Sequence, residues 1–225
     1  MSNGQNHSTY VLKYAKGEEV KYISHLDFIR TFHRAVRRSE LPMAFSQGFN
    51  PHPIMTVALP LSVGVTSEGE YLKLGLVGDW STDEVKSRLN HALPKGLKIL
   101  EVARTEGKEM DFAKINRAVY RVEVEVEHEM AVPLDAFLQR KELIVPKKTK
   151  SGIKDSDIRP HIFALKQDQR DGNVLTLSMS LSAGSAYNLK PDTVLDAMEQ
   201  YIEGFHASFF MVHRISLLAG EIQYL

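Results

Sequence analysis

Apolar positions along the chain switch between a period of two and a period near 3.6, and each switch marks a predicted strand or helix. Residues 10–14 read as a strand and 24–39 as a helix. A short strand over 54–59 precedes a longer one over 70–77, in which Leu72, Leu74 and Leu76 alternate. Ser81 and Glu84 form a capping box that opens a helix with Val85, Leu89 and Leu93 on one face. Gly96 ends it and the strand over 97–103 follows, so the order is β-α-β-β-α-β.

The same order returns. Tyr120, Val122, Val124 and Val126 alternate with Arg121, Glu123, Glu125 and Glu127, the pattern of a half-buried antiparallel strand. Pro133 stands where a first helical residue belongs, ahead of Leu134, Phe137 and Leu138. Strands over 162–165 and 174–181 come next. A helix from Pro191 then aligns Val194, Leu195, Met198, Tyr201 and Ile202, and residues 209–218 close the unit. Pro51-His52-Pro53-Ile54 is echoed by Arg159-Pro160-His161-Ile162 ahead of corresponding strands. The split βαβ unit is the economical fold for this order. The expected architecture is therefore α+β: two tandem ferredoxin-like (βαββαβ) halves with antiparallel sheets, at 10–104 and 117–225, joined by a polar connector over 104–116.

Composition narrows the chemistry. The 225 residues carry 28 Lys and Arg against 28 Asp and Glu, so nucleic-acid affinity would have to come from uneven placement of charge. With no cysteine, the chain has no disulfide, no thiol catalysis and no self-supplied iron–sulfur cluster. We expect no intrinsic cofactor. No apolar run is long enough for a membrane span, and residues 1–9 are polar, unlike a signal peptide. Those residues are expected to fray, and the expected location is cytoplasmic.

Four regions are candidates for chemistry. On the helix over 24–39, Arg30, Arg34 and Arg37 fall at i, i+4 and i+7, on one face with Arg38 adjacent; Leu26, Ile29, His33 and Val36 form the expected apolar face. The stripe is either a solvated surface or a phosphate contact, since arginine's fork matches phosphate oxygens. At the helix start, Ser24 and Asp27 suit a cap. Capping does not account for His25, so His25 is a candidate acid or base and Asp27 a candidate nucleophile. A metal site would have to use His25, Asp27 and His52, whose spacing matches no typical site, so no metal is expected.

The polar segment 46–53 offers Ser46, Gln47, Gly48, Asn50 and His52 as ligand-binding groups. Phe45 and Phe49 either pin it to the core or stack on a planar ligand such as a base. In the second half, Lys147, Lys148, Lys150, Lys154 and Arg159 crowd a segment read as a Gly/Ser-containing loop, either solvated or a phosphate cradle. Ser182 to Pro191, rich in small residues, leads into the last helix. There is no P-loop, nucleophile elbow or dinucleotide fingerprint.

Ile23-Ser24-His25-Leu26-Asp27, Phe45-Ser46-Gln47-Gly48-Phe49-Asn50-Pro51 and Leu59-Pro60-Leu61 resemble the radical SAM-linked protein family, the DUF2344 domain of unknown function. Lys147-Lys148 to Lys154, Asp157-Ile158-Arg159-Pro160 and Ser182-Ala183-Gly184-Ser185 with Asn188 to Pro191 extend the likeness to nearly the whole chain. The resemblance implies a radical SAM protein as partner and work on RNA or the ribosome, with tRNA or rRNA as the nucleic acid. It supplies no catalytic residues. Three functions compete: an RNA-binding or substrate-presenting partner of a radical SAM enzyme, an RNA-processing or RNA-modifying enzyme using His25 and Asp27, and a protein-docking module without RNA binding.

Overall fold

The computed structural model describes residues 7–105, 111–149, 152–220, 222, 223 and 225, with the backbone alone for 147–149. The fold is mixed α+β. The chain divides into two compact units, the first ending at Ile115 and taking back the C-terminal residues, the second Asn116–Gly220.

In the first unit, β1 (His7–Lys16), α1 (His25–Arg38), β2 (Met55–Val57), β3 (Thr66–Val77), α2 (Thr82–Ala92) and β4 (Leu97–Thr105) follow in that order. β1 pairs antiparallel with both β3 and β4, and β2 pairs antiparallel with β3. Leu72 and Leu74 have β1 partners on one side and β2 partners on the other, so the strands lie in the order β4-β1-β3-β2. Residues 7–9, expected to fray, belong to β1, where His7 faces Val77.

One sheet face carries Tyr10, Leu12, Tyr14, Leu72, Leu74, Leu76 and Ile99 and packs on Phe28, Phe32 and Val36 of α1 and Val85 and Leu89 of α2. Burying each such side chain contributes about 1.5–3 kcal/mol. Tyr14 stacks on Phe28 with centroids 5.2 Å apart. The α1 face that meets the sheet is thus Phe28, Phe32, Ala35 and Val36, not the expected Leu26–Ile29–His33–Val36; Leu26 is 65% exposed. The larger phenylalanines remove more apolar area and set the rotation of the helix. Asn90 of α2 fastens β4 by bonding both the amide and the carbonyl of Ile99.

In the second unit, β5 (Arg117–Val126), α3 (Leu134–Leu138), β6 (Ile144–Thr149), β7 (Gly152–Asp157), β8 (Ile162–Asp171), β9 (Val174–Ser182), α4 (Pro191–Tyr201) and β10 (Ala207–Leu218) follow in order. The sheet runs β10-β5-β9-β8, antiparallel throughout. β5 buries Tyr120, Val122, Val124 and Val126 and exposes Arg121, Glu123 and Glu125, as its alternation predicts. Pro133 takes the cap position of α3, one residue earlier than expected. The lysine-rich segment is not a loop: β6 and β7 pair as a hairpin, with Lys147 opposite Lys154.

Candidate nucleic-acid interface

α1 begins at a closed cap. The Ser24 hydroxyl accepts from the Asp27 amide at 3.2 Å and donates to Asp27 Oδ2 at 2.8 Å. Asp27 Oδ1 pairs with Arg30 at 3.2 Å. The Ser24 hydroxyl, followed by Arg30 and then Arg34, holds the Asp27 carboxyl below its ordinary range. Its oxygens are thereby committed to the helix terminus, which leaves it poorly suited to nucleophilic attack. His25 is exposed, and among the described residues its ring has no hydrogen-bond partner. The recess beside it, lined by Tyr14, Ser24, Phe28 and Leu61, holds only about 10 Å³, room for one water.

Beyond the cap, α1 turns Arg30, Arg34, Arg37 and Arg38 outward. Arg30 is partnered by Asp27, three residues earlier, which the sequence spacing had not taken into account. Arg38 donates to the Ala92 carbonyl at 2.6 Å, closing the end of α2. Arg34 and Arg37 have no acidic partner within ion-pair distance among the described residues. Two guanidinium groups without an ion-pair contact therefore lie about one turn apart on a solvent-facing row. His33, half-buried at the edge of this row, has its imidazole pushed below the ordinary histidine value, first by burial and then by the Arg37 charge. Two large apolar side chains lie in the same stretch, Leu26 and the 73% exposed Tyr22. The period-3.6 count did not reveal them, because it assigns Leu26 to the core.

The segment 46–53 is a tied loop. Ser46 N donates to the His52 carbonyl at 2.8 Å, the His52 amide donates to Ser46 Oγ at 3.1 Å, and Ser46 Oγ lies 2.9 Å from His52 Nδ1. Below this clasp the backbone joins the sheet: Ala44 N donates to Gly75 O, Gly75 N to Ile54 O, and Ile54 N to Ala44 O. A Cβ on Gly75 would lie 3.0 Å from Ile54 Cβ, so glycine is what lets this stem reach β3. The clasp occupies Ser46 and His52. Gln47, Gly48 and Asn50 remain exposed at the tip, where Gly48 has φ +124°, a value that favours glycine. Phe49 is wholly exposed and Phe45 45% exposed, so neither pins the loop to the core.

In the second unit, Lys154 is exposed beside Ile153 on the hairpin. The side chains of Lys147 and Lys148, and all of Lys150, lie outside the described residues. Arg159 is structural: its Nε donates to the Leu138 carbonyl at 2.7 Å and its Nη1 to the Ile162 carbonyl at 3.2 Å. The segment 182–191 packs by side chains, with the Tyr187 ring stacked on His161 at 3.5 Å and His161 Nδ1 3.0 Å from Ser182 Oγ. Among the described residues no group of three His, Asp or Glu is placed to hold a metal ion, and no helix is long and apolar enough to cross a membrane.

No curated protein matches the chain. Among solved structures it is similar to a chain of "Crystal Structure of a Cbf5-Nop10-Gar1 Complex", at 10% identity and TM-score 0.46, covering 92% of this chain and 48% of that one, so it spans about half that chain's length. It is also similar to "Crystal Structure of an Unknown Protein from Galdieria sulphuraria", at 12% identity and TM-score 0.26, covering 95% and 99%. A family model matches residues 9–191, most of the length, and by that match the chain belongs to the family described as "Uncharacterized protein conserved in bacteria (DUF2344)".

Proposed function

We propose that this chain is an RNA-binding partner of a radical SAM enzyme, holding tRNA or rRNA by its phosphates and presenting it for modification in the cytoplasm. The observation that carries the reading is the outward row of Arg30, Arg34 and Arg37 on α1, in which Arg34 and Arg37 have no acidic partner within ion-pair distance among the described residues. In a chain of zero net charge, such a local excess of arginine is what a phosphate backbone would select. Phe49, held in water on a tied loop, suits stacking on an unpaired base. The Lys154-bearing hairpin is a second basic element. Each unit is read as a ferredoxin-like fold; the strand orders β4-β1-β3-β2 and β10-β5-β9-β8, each with two helices, support this. Catalysis by His25 and Asp27 has less behind it, since Asp27 is used by the cap and the recess at His25 is too small for a substrate.

The test is equilibrium binding of tRNA and rRNA fragments across a salt series. Arg30, Arg34 and Arg37 replaced together by Ala should weaken binding at least about tenfold and lower the log–log salt slope by about 1.4, as loss of the two contacts of Arg34 and Arg37 to a single strand requires, Arg30 being already paired with Asp27. Unchanged affinity would overturn the proposal. Retention of the radical SAM protein in the absence of RNA, with no RNA affinity at any salt, would replace it with pure protein docking.

A further inference from the structure

The sheet of the second unit has a buried face and an open one. β5 buries Tyr120 and Val122, which lie opposite the buried Met179 and Leu177 of β9, and the side chains between them point the other way. On that open face three rows run across β5, β9 and β8. Arg121, Ser178 and Lys166 form the first, and Val119, Ser180 and Ala164 the second. Arg117 and Ser182 begin the third. There a register shift in β8 between Ile162 and Ala164 brings the Phe163 ring to Arg117, whose Cζ lies 4.2 Å from the ring centroid.

The middle row is a floor. Val119, Ser180 and Ala164 are short and only half-buried, so solvent reaches them. Strands about 4.8 Å apart, with a rise of about 3.4 Å per residue, put the Arg121 Cα about 10 Å from that of Lys166 across the sheet and about 14 Å from that of Arg117 along β5. The space between them has room for a flat ring.

Its borders are cationic and aromatic. Arg117, Arg121 and Lys166 have no acidic partner within ion-pair distance among the described residues. Asp168 reaches the first row, where it accepts from the Ser178 hydroxyl. Glu123 and Glu125 lie further along β5, opposite Met211 and Phe209 of β10, so negative charge collects at one end of the face and positive charge at the other. Phe163 is 48% exposed although Arg117 lies over its ring. A basic peptide would be repelled by the three cations, and an acidic peptide offers the ring no flat partner. An unpaired nucleotide answers both, with phosphate for the cations and a planar base for the ring.

We infer that this end of the sheet binds single-stranded RNA, with one base stacked against Phe163 above the Val119–Ser180–Ala164 floor and backbone phosphates on Arg121 and Lys166. The inference rests on the proposed RNA binding and adds that a bound segment is unpaired and lies on the second unit.

Fluorescence anisotropy of the full chain with a labelled mixed-sequence RNA of about twelve nucleotides, single-stranded or annealed to its complement, tests this. Phe163→Leu keeps the apolar bulk and removes the ring. It should weaken the single strand about tenfold while leaving duplex affinity and the salt slope unchanged, and Phe163→Trp should retain binding. Arg121→Gln combined with Lys166→Gln should weaken the single strand and lower the log–log salt slope by about 1.4. Both of these side chains are exposed, so the pair serves should Phe163→Leu fail to fold. Replacement of Arg30, Arg34 and Arg37 by Ala, run alongside, separates the two sites. Losses in the sheet variants but not in the α1 variant support the sheet site and sink the helix contact. The reverse leaves the helix contact standing and overturns the sheet site. Equal losses for single strand and duplex in Phe163→Leu, unaltered single-strand affinity in the sheet variants, or no single-strand binding by the folded chain would also overturn it.

Discussion

Each unit carries an insertion between its first helix and the strand that follows, and the two are held in opposite ways. In the first unit the segment between α1 and β2 is stitched into the sheet by main-chain bonds through Ala44, Ile54 and Gly75, with one side-chain clasp above them at Ser46 and His52. In the second unit the β6–β7 hairpin forms its own ladder and is fastened at the base by a collar of side chains. Asp157 Oδ1 accepts from the Leu143 and Arg159 amides, the Tyr201 hydroxyl bonds both Ile144 N and O, and Arg159 reaches the Leu138 and Ile162 carbonyls. The contrast teaches that a backbone-held insertion resists loss of a side chain and yields to the gain of one. A collar-held insertion does the reverse.

The sharpest way to break the contrast is at Gly75. A valine there places Cβ 3.0 Å from Ile54 Cβ and Cγ2 and 3.3 Å from Ala44 Cβ. Gly75→Val is expected to destabilise the chain by about 3 kcal/mol, the upper range for overpacking, read as a lowered urea midpoint. No change would mean that the stem is not sewn to β3. Arg159→Met is the counterpart in the second unit. It leaves the Leu138 and Ile162 carbonyls without the Arg159 donor, and about 2 kcal/mol is expected by the same measurement, with faster amide exchange in β6 and β7. Ser46→Ala should cost only about 1 kcal/mol, because the main-chain stitching below the clasp survives it. A loss at Ser46 larger than that at Arg159 would invert the comparison.

Sequence reasoning located both insertions, yet it described only one of them usefully. The alternation of Tyr120 to Val126 and the Ser81–Glu84 signal were enough for β5 and α2, because burial on one face and a cap are local properties. The hairpin was hidden: Pro146, the lysines and Gly152 have poor strand propensity, and a two-sided polar ladder shows no alternation to detect. The orientation of α1 was misjudged for a different reason. Which of Leu26 and Phe28 turns inward depends on the partner surface of Tyr14, and that contact is made across two elements, β1 and α1, rather than within the helix. The arginine row was visible as spacing, but the Asp27–Arg30 pair that leaves only Arg34 and Arg37 without an ion-pair contact was not.

The smallest expected effect bears most directly on the proposed contact between RNA and α1. Burial, reinforced by the Arg37 charge, keeps the His33 imidazole below its ordinary value of 6.5. The unfolded chain takes up this proton near that value while the folded chain does not. The stability linked to His33 is therefore complete above about pH 6.5 and falls as the pH drops from there through the depressed folded value, with no further loss once both states are protonated. His33→Gln should flatten the stability profile over that window. Bound phosphate near Arg37 offsets the charge that opposes protonation, so RNA on the α1 row must move the His33 pKa upward, toward 6.5. An NMR titration of the His33 ring with and without RNA reads this shift. If RNA instead engages only the basic hairpin of the second unit, the His33 curve stays where it is while binding still occurs, and the assignment of phosphate contacts passes from the helix to the hairpin.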